Sequence, residues 1–168
     1  MDGSGFKGNI GTAAIVPQSG QSLCYKLGKE SKHTVFEREV VGILLALQLL
    51  DTCPAVRSAL IALNIHAVIH ALQENRTQPT QCLLDKIHAT VSLLKRKPNH
   101  LHIHLEWIPG HMDIAGNDLV DEHAKRAATG EVSNANDLPD ILEKRLPAGV
   151  SVLKAKRKKT ILQRWKKL

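Results

Sequence analysis

The stretch of sequence that decides the fold is Trp107-Ile-Pro-Gly-His-Met-Asp-Ile-Ala-Gly-Asn-Asp-Leu-Val-Asp-Glu-His-Ala-Lys125. It follows residues 101–107, whose alternating apolar and polar side chains predict a strand. That strand leads into a loop carrying His111, and a turn at Gly116-Asn117 opens a helix that carries Asp121 one turn in. A histidine and a carboxylate are thereby held near one sheet edge on two different elements. This arrangement places an acid/base group beside a metal-binding carboxylate.

Upstream of this stretch, the apolar pattern predicts two strands, a helix, a strand and two further helices, in that order. This order predicts an α/β fold with a mixed sheet, antiparallel in its first strands and parallel afterwards, flanked by helices. The predicted strands are residues 10–16, 22–27, 58–63 and 101–107, and the predicted helices are residues 35–50, 66–73, 80–95 and 117–129.

The C-terminal part of the chain differs in composition from the rest. We expect a main domain over residues 1–130, a linker over residues 131–150 and a basic amphipathic helix over residues 151–168. That last segment carries eight Lys and Arg and no acidic residue, whereas the other 15 basic residues share the chain with all 16 acidic residues. The basic helix has two interpretations. It attracts nucleic-acid phosphates, or its apolar residues dock on the domain while its lysines face water.

Length and composition limit the class of protein. A chain of 168 residues with 43% hydrophobic content fits one globular domain, which we expect to be monomeric. No secretory signal and no apolar run of membrane-spanning length is found, so we expect an intracellular protein, with cytoplasm and nucleus left undistinguished. The three cysteines, which are far apart and odd in number, favour small buried residues over a disulfide framework or a zinc site.

Four pieces of sequence, taken in order, resemble the ribonuclease H (type 1) family, and most closely the ribonuclease H domain of fungal non-LTR retrotransposon reverse transcriptases. The resemblance covers residues 1–130 and continues more loosely through the basic helix. It implies a ribonuclease H-like sheet and possible membership of a longer reverse-transcriptase polyprotein. The pieces are Asp2-Gly3-Ser4-Gly5, residues 37–47 around Glu39, Ile61-Ala62-Leu63-Asn64, and the pattern Gly-His-x4-Gly-Asn-x3-Asp that contains His111 and Asp121.

The resemblance implies metal-dependent endonucleolytic hydrolysis of RNA in RNA–DNA hybrids. Two Mg²⁺ (or Mn²⁺) ions would activate water and stabilise the leaving oxygen, and carboxylate oxygens suit such ions. His111 would move a proton or assist product release. Asp2, Glu39, Asn64 and Asp121 would be the metal ligands, and Gly3, Ser4, Gly5, Asn9 and Asn117 would contact the substrate.

Two features depart from the family pattern. Asn64 stands where the family has an aspartate, which removes one full negative charge from between two cations. In the family, the first aspartate lies on a central strand with several residues before it. Here only Met1 precedes Asp2, so that strand is expected to be truncated and the centre of the sheet left with unpaired backbone. Two functions therefore stay open: an impaired hybrid ribonuclease, and a non-catalytic ribonuclease H-like nucleic-acid-binding module or retrotransposon relic.

Other motif-like patterns are set aside. Gly3-x-Gly5-x-x-Gly8 matches a dinucleotide fingerprint by its letters, but it opens into a strand instead of a helix. Five histidines are expected at the surface or rim. Alternation on a half-exposed strand explains two of the three near residue 102, and no third ligand accompanies the pair on the predicted helix 66–73. They are His66, His70, His100, His102 and His104.

Overall fold

The computed structural model describes residues 6–74, 80–97, 101–109 and 115–165. Its elements agree with the predicted order and, within a few residues, with the predicted bounds. They are β1 (Asn9–Val16), β2 (Gln21–Lys29), α1 (Val35–Asp51), β3 (Ser58–Leu63), α2 (His66–Gln73), α3 (Gln81–Lys95), β4 (His102–Trp107), α4 (Ala115–Thr129), two 3₁₀ turns at Ala135–Asp137 and Asp140–Leu142, and α5 (Val150–Trp165).

The strands form one antiparallel and one parallel pair, which confirms the predicted α/β class. β1 pairs with β2 in antiparallel register, with Thr12 opposite Tyr25. β3 pairs with β4 in parallel register, with Leu63 opposite Trp107 at the carboxyl end. Among the described residues these are two separate two-stranded sheets, with no strand pairing between them.

The truncated strand that the family resemblance implies around Asp2 lies outside the described residues. At its boundary, Phe6 and Asn9 exchange two backbone hydrogen bonds of 2.9 and 3.1 Å. Lys7 and Gly8 between them both have positive φ, 52° and 73°, as in a type I′ hairpin turn. Because the N–H and C=O of Asn9 both point to Phe6, Phe6 lies on the edge of β1 that is not paired with β2.

Helix α1 holds the two sheets together. It begins with a capping box, in which Thr34 Oγ1 accepts from the Glu37 backbone N–H while Glu37 accepts from the Thr34 N–H. Its apolar residues form the centre of the core, where Leu44 is 1% exposed. The helix packs mainly over β1, where Thr12 Oγ1 donates to the Arg38 backbone carbonyl at 3.1 Å.

Helix α4 packs on the other face of β1. A Cβ at Gly11 would overlap the backbone of Ala124 and Ala128, so glycine is what permits this close approach. Gly11 and Thr12 are neighbours on one strand, and neighbouring residues point to opposite faces. β1 is therefore covered by α1 on one face and by α4 on the other.

The segment predicted as a linker, residues 131–150, contacts the body at several points. Ser133 exchanges two hydrogen bonds with the backbone of Cys24 on β2, at 3.0 and 2.9 Å. Leu138 and Leu142 are buried and join the hydrophobic core. Helix α5 thus starts from a segment that is packed against the body.

Helix α5 is anchored at its first residues only. The Gly149 N–H donates to the Lys32 carbonyl at 2.8 Å, and a Cβ at Gly149 would overlap the buried carboxylate of Glu37. Beyond this start no residue of α5 is buried, and Trp165 is 73% exposed. The structure does not favour docking of this helix through its apolar residues, because Leu153, Ile161, Leu162 and Trp165 are exposed and Val152 is only half-buried.

The cysteine prediction is only partly correct. All three thiols are free, but Cys82 is exposed, and Cys24 and Cys53 are half-buried. Burial raises the pKa of the Cys24 thiol, whose Sγ lies 3.7 Å from His123 Nδ1. Cys24 is therefore held in its neutral form at ordinary pH, which does not favour a nucleophile. Within the described part of the chain, no helix is both long and apolar enough to cross a membrane.

Candidate functional site

The site is built around Glu39, in the first turns of α1. The residues on either side of it, Arg38 and Val40, are both buried, at 8% and 0% exposure. The Glu39 side chain is itself only 12% exposed. An acidic side chain at such a position needs partners that supply positive charge or hydrogen-bond donors.

Asn64 supplies one of those partners. It follows β3 directly, at the carboxyl end of a strand whose last residue, Leu63, is buried. The Asn64 backbone carbonyl accepts a hydrogen bond of 3.3 Å from Trp107 Nε1 at the end of β4. The parallel pairing of β3 and β4 thus brings both strand ends to the same edge.

Glu39 and Asn64 are in direct contact, as the predicted cluster requires. With its amide nitrogen turned toward Glu39, Asn64 donates hydrogen bonds of 3.0 and 2.9 Å to the two carboxylate oxygens. The opposite orientation would place the amide oxygen against those oxygens, so the hydrogen-bond network selects the first. Residues 25 positions apart in the sequence are thereby joined in one site.

Arg38 completes the cluster, and the sequence patterns did not single it out. Its Nε and Nη2 atoms both donate to Glu39 Oε1, at 3.2 and 2.8 Å. The Arg38 side chain is 10% exposed, so this ion pair is largely removed from solvent. A basic residue adjacent to the predicted metal ligand was the available signal. It went unused because neighbouring residues on a helix usually point in different directions.

The arrangement does not fit a divalent ion held jointly by Glu39 and Asn64. Mg²⁺ takes oxygen ligands, so Asn64 would have to turn its amide oxygen toward the ion and give up both hydrogen bonds to Glu39. Glu39 Oε1 already accepts from Arg38 and Asn64, and the guanidinium adds a positive charge that repels a cation. Within the described residues no group of three or more His, Cys, Asp or Glu side chains is placed to hold a metal.

The remaining predicted residues that the structure describes lie on other elements. Asp121 and Asn117 are half-exposed on α4, which reaches β1 from the face opposite α1. Asn9 begins β1 and donates to the Lys7 carbonyl at 3.3 Å, within its own turn. Among the described residues, neither the Asp121 side chain nor the Asn117 side chain makes a hydrogen bond or ion pair.

Five of the predicted site residues lie outside the described residues. They are Asp2 and His111 of the catalytic set, and Gly3, Ser4 and Gly5 of the substrate-binding set. The structure brings Glu39 and Asn64 together, and the convergence of the whole set stays a prediction.

Aromatic rings line the edge next to Asn64. His66, in the first turn of α2, lies 5.7 Å from Trp107 and 5.0 Å from His70, measured between ring centroids. All three side chains are exposed, with Trp107 at 43%. His102 and His104 are also exposed, as predicted. Exposed rings beside a polar cluster offer faces on which nucleobases stack.

Comparison with known proteins adds no relative to this picture. No protein-family model matches the chain, and a search of curated proteins finds no match. The motif resemblance and the geometry of Arg38, Glu39 and Asn64 are therefore the basis for any functional assignment.

Proposed function

We propose that this chain is a ribonuclease H-like nucleic-acid-binding domain that engages RNA–DNA hybrids and hydrolyses their RNA strand only weakly. The observation that carries the proposal is the contact between Glu39 on α1 and Asn64 after β3. The motif resemblance assigns these two positions to one cluster, and a chance resemblance would have no reason to bring them together.

The order and pairing of the elements support the same proposal. An antiparallel pair precedes a parallel pair, α1 covers one face of β1, and α4 covers the other. The exposed rings of His66, His70 and Trp107 would give unpaired or distorted bases a stacking surface beside the cluster. The basic residues of α5 would supply sequence-independent attraction to phosphates.

A second function is favoured by a specific observation, the Arg38–Glu39 ion pair. Because the Glu39 carboxylate is already neutralised, the domain would bind hybrid without cutting it. The two functions differ in one measurable respect, since both predict hybrid binding and only the first predicts metal-dependent cleavage. Membership of a longer reverse-transcriptase polyprotein stays a prediction under either function.

The test is cleavage and binding of a labelled RNA–DNA hybrid with Mg²⁺ or Mn²⁺. We expect weak cleavage by the wild-type chain and a cleavage rate about tenfold or more higher for Asn64→Asp. The reason is that about 1.4 kcal/mol of added charge stabilisation already gives a factor of ten. Asn136→Asp, which adds the same charge at an exposed 3₁₀ turn, is the matched control and should change nothing.

Two results would count against the proposal. A folded Asn64→Asp protein without gain at saturating metal would contradict the role of position 64 and leave the non-catalytic function. A wild-type chain that binds hybrid no better than it binds a neutral polymer would remove both functions.

A further inference from the structure

We propose that Arg38 acts as a built-in cation, supplying the positive charge that Glu39 would otherwise take from a divalent ion, and so keeps this site closed to metal. The inference rests on the proposed function and deepens it, because cleavage would be weak if a metal ion reaches Glu39 only when Arg38 is displaced. Its claim about ion binding can be measured without any nucleic acid.

Burial is the first reason. The side chains of Arg38 and Glu39 are 10% and 12% exposed, so each charge is largely desolvated and depends on the other. Breaking such a pair leaves an uncompensated charge, whereas an exposed pair can exchange its partner for water. A metal ion approaching Glu39 would therefore have to displace a partner that is itself largely desolvated.

The direction of the hydrogen bonds is the second reason. Glu39 Oε1 accepts from Nε and Nη2 of Arg38 and from the Asn64 amide, while Oε2 accepts from the same amide. Among the described residues, the groups that hydrogen-bond to the carboxylate are all donors. A cation needs lone pairs directed toward it, and this cluster directs N–H bonds inward instead.

The backbone fixes this arrangement. Thr12 Oγ1 donates to the Arg38 carbonyl from β1 at 3.1 Å, with both groups buried. A Cβ on Gly42 would make a tight contact of 3.2 Å with Thr12 Oγ1, so α1 and β1 approach closely here. The turn of α1 that carries Arg38 and Glu39 is therefore set against β1 at a fixed depth.

Charge balance explains why Arg38 and Asn64 belong together. Among the described residues, the charges of the Arg38 guanidinium, the Glu39 carboxylate and the neutral Asn64 amide sum to zero, so these three groups balance without an ion. An aspartate at position 64 would leave one negative charge in excess, and replacing Arg38 as well would leave two. Two excess carboxylates at one site are what a divalent ion can neutralise.

The experiment counts bound Mn²⁺ directly, from the loss of the free-ion electron paramagnetic resonance signal, on the full chain. At the Glu39 site, Arg38→Gln/Asn64→Asp should bind one Mn²⁺ at least about tenfold more tightly than the wild type does, since a single charge interaction near a protein surface exceeds what a factor of ten requires. Mn²⁺ should also raise the melting temperature of this variant more than that of the wild type.

The matched control is Arg126→Gln. Arg126 also pairs with a neighbouring glutamate, Glu131, at 2.7 Å, but both side chains are more than half exposed. Releasing that carboxylate should leave Mn²⁺ binding at the wild-type level. A third change, Glu39→Gln, should abolish the gain when it is added to Arg38→Gln/Asn64→Asp.

Two outcomes would overturn the inference. One is a folded Arg38→Gln/Asn64→Asp protein that binds Mn²⁺ no better than the wild type. The other is a loss of Mn²⁺ binding when Glu39→Gln is introduced into the wild type, because the ion would then already reach Glu39. This second measurement decides the question even if the double variant does not fold. A gain in Mn²⁺ without hybrid cleavage would instead count against the proposed function and leave this inference standing.

Discussion

Helices α1 and α5 are almost equally long, at 17 and 16 residues, but only α1 is part of the core. The apolar residues of α1 are nearly contiguous, as in Ile43-Leu44-Leu45-Ala46-Leu47, so several faces are covered by strands and helices. In α5, five charged residues separate Leu153 from Ile161, and no apolar stripe extends over two successive turns. The difference shows that apolar content alone does not bury a helix, because the apolar residues must share a face that a neighbour covers.

The sharpest test of this comparison is truncation of one large residue in each helix. Leu44→Ala should destabilise the protein by about 2–5 kcal/mol, because Leu44 is fully enclosed and a cavity would remain. Ile161→Ala, at a side chain that is 46% exposed, should change the free energy of unfolding by about 0.5 kcal/mol or less. Urea denaturation of both variants measures the two values, and comparable losses would show that α5 is docked after all.

The contact between the two helices is tested at Gly149. An added Cβ would overlap the Glu37 carboxylate, which also caps α1 through Thr34, so Gly149→Ala should destabilise by about 1–3 kcal/mol. Hydrogen exchange should show earlier loss of protection in the first turn of α5 than in α1. Ser151→Ala, at an exposed position of the same turn, is the control. Unchanged protection for Gly149→Ala would mean that this contact does not anchor α5.

A third prediction separates charge from packing in α5. Replacing four of its basic residues by glutamine should leave the melting temperature within a degree or two, since none of them is buried. It should flatten the salt dependence of hybrid binding, because each lost phosphate contact removes a slope of about 0.9 in log K against log salt. The four residues are Lys156, Arg157, Lys158 and Lys159.

The control for that experiment replaces basic residues of the near-neutral body, at the exposed positions Lys7, Lys29 and Lys32. These changes should leave the slope much closer to that of the wild type. A slope that responds equally to both sets would assign the attraction to overall charge. A lost melting transition after the α5 replacements would show that the helix has a structural role.

The smallest effect concerns the segment between the two helices. Its Asp140 meets Lys86 of α3, with Nζ 2.6 and 2.9 Å from the two carboxylate oxygens, and this contact lowers the pKa of Asp140. Because the pKa of Asp140 is lower in the folded state, the contact stabilises the fold at pH values above the ordinary pKa of 3.8. This stabilisation is lost as the pH falls below that value. Asp140 is 68% exposed, so Asp140→Asn should cost about 0.5 kcal/mol or less at pH 7 and less still at pH 3.

The sequence by itself determined the element order, because apolar periodicity depends only on local spacing. Residues 58–63 and 66–73 were predicted with the bounds observed for β3 and α2. The motif resemblance also identified Glu39 and Asn64 as members of one site, although 25 positions separate them. The structure places these two side chains in direct contact, and the site itself stays a prediction.

Only the tertiary structure decided which groups face Glu39. The Arg38 side chain could point to solvent or fold back onto Glu39. The choice depends on tertiary burial and on the Asn64 amide, and the spacing of residues 37–39 shows neither. The same holds for α5, whose sequence allowed docking or exposure. Burial requires a complementary surface on another element, and local sequence does not specify whether that surface is already covered.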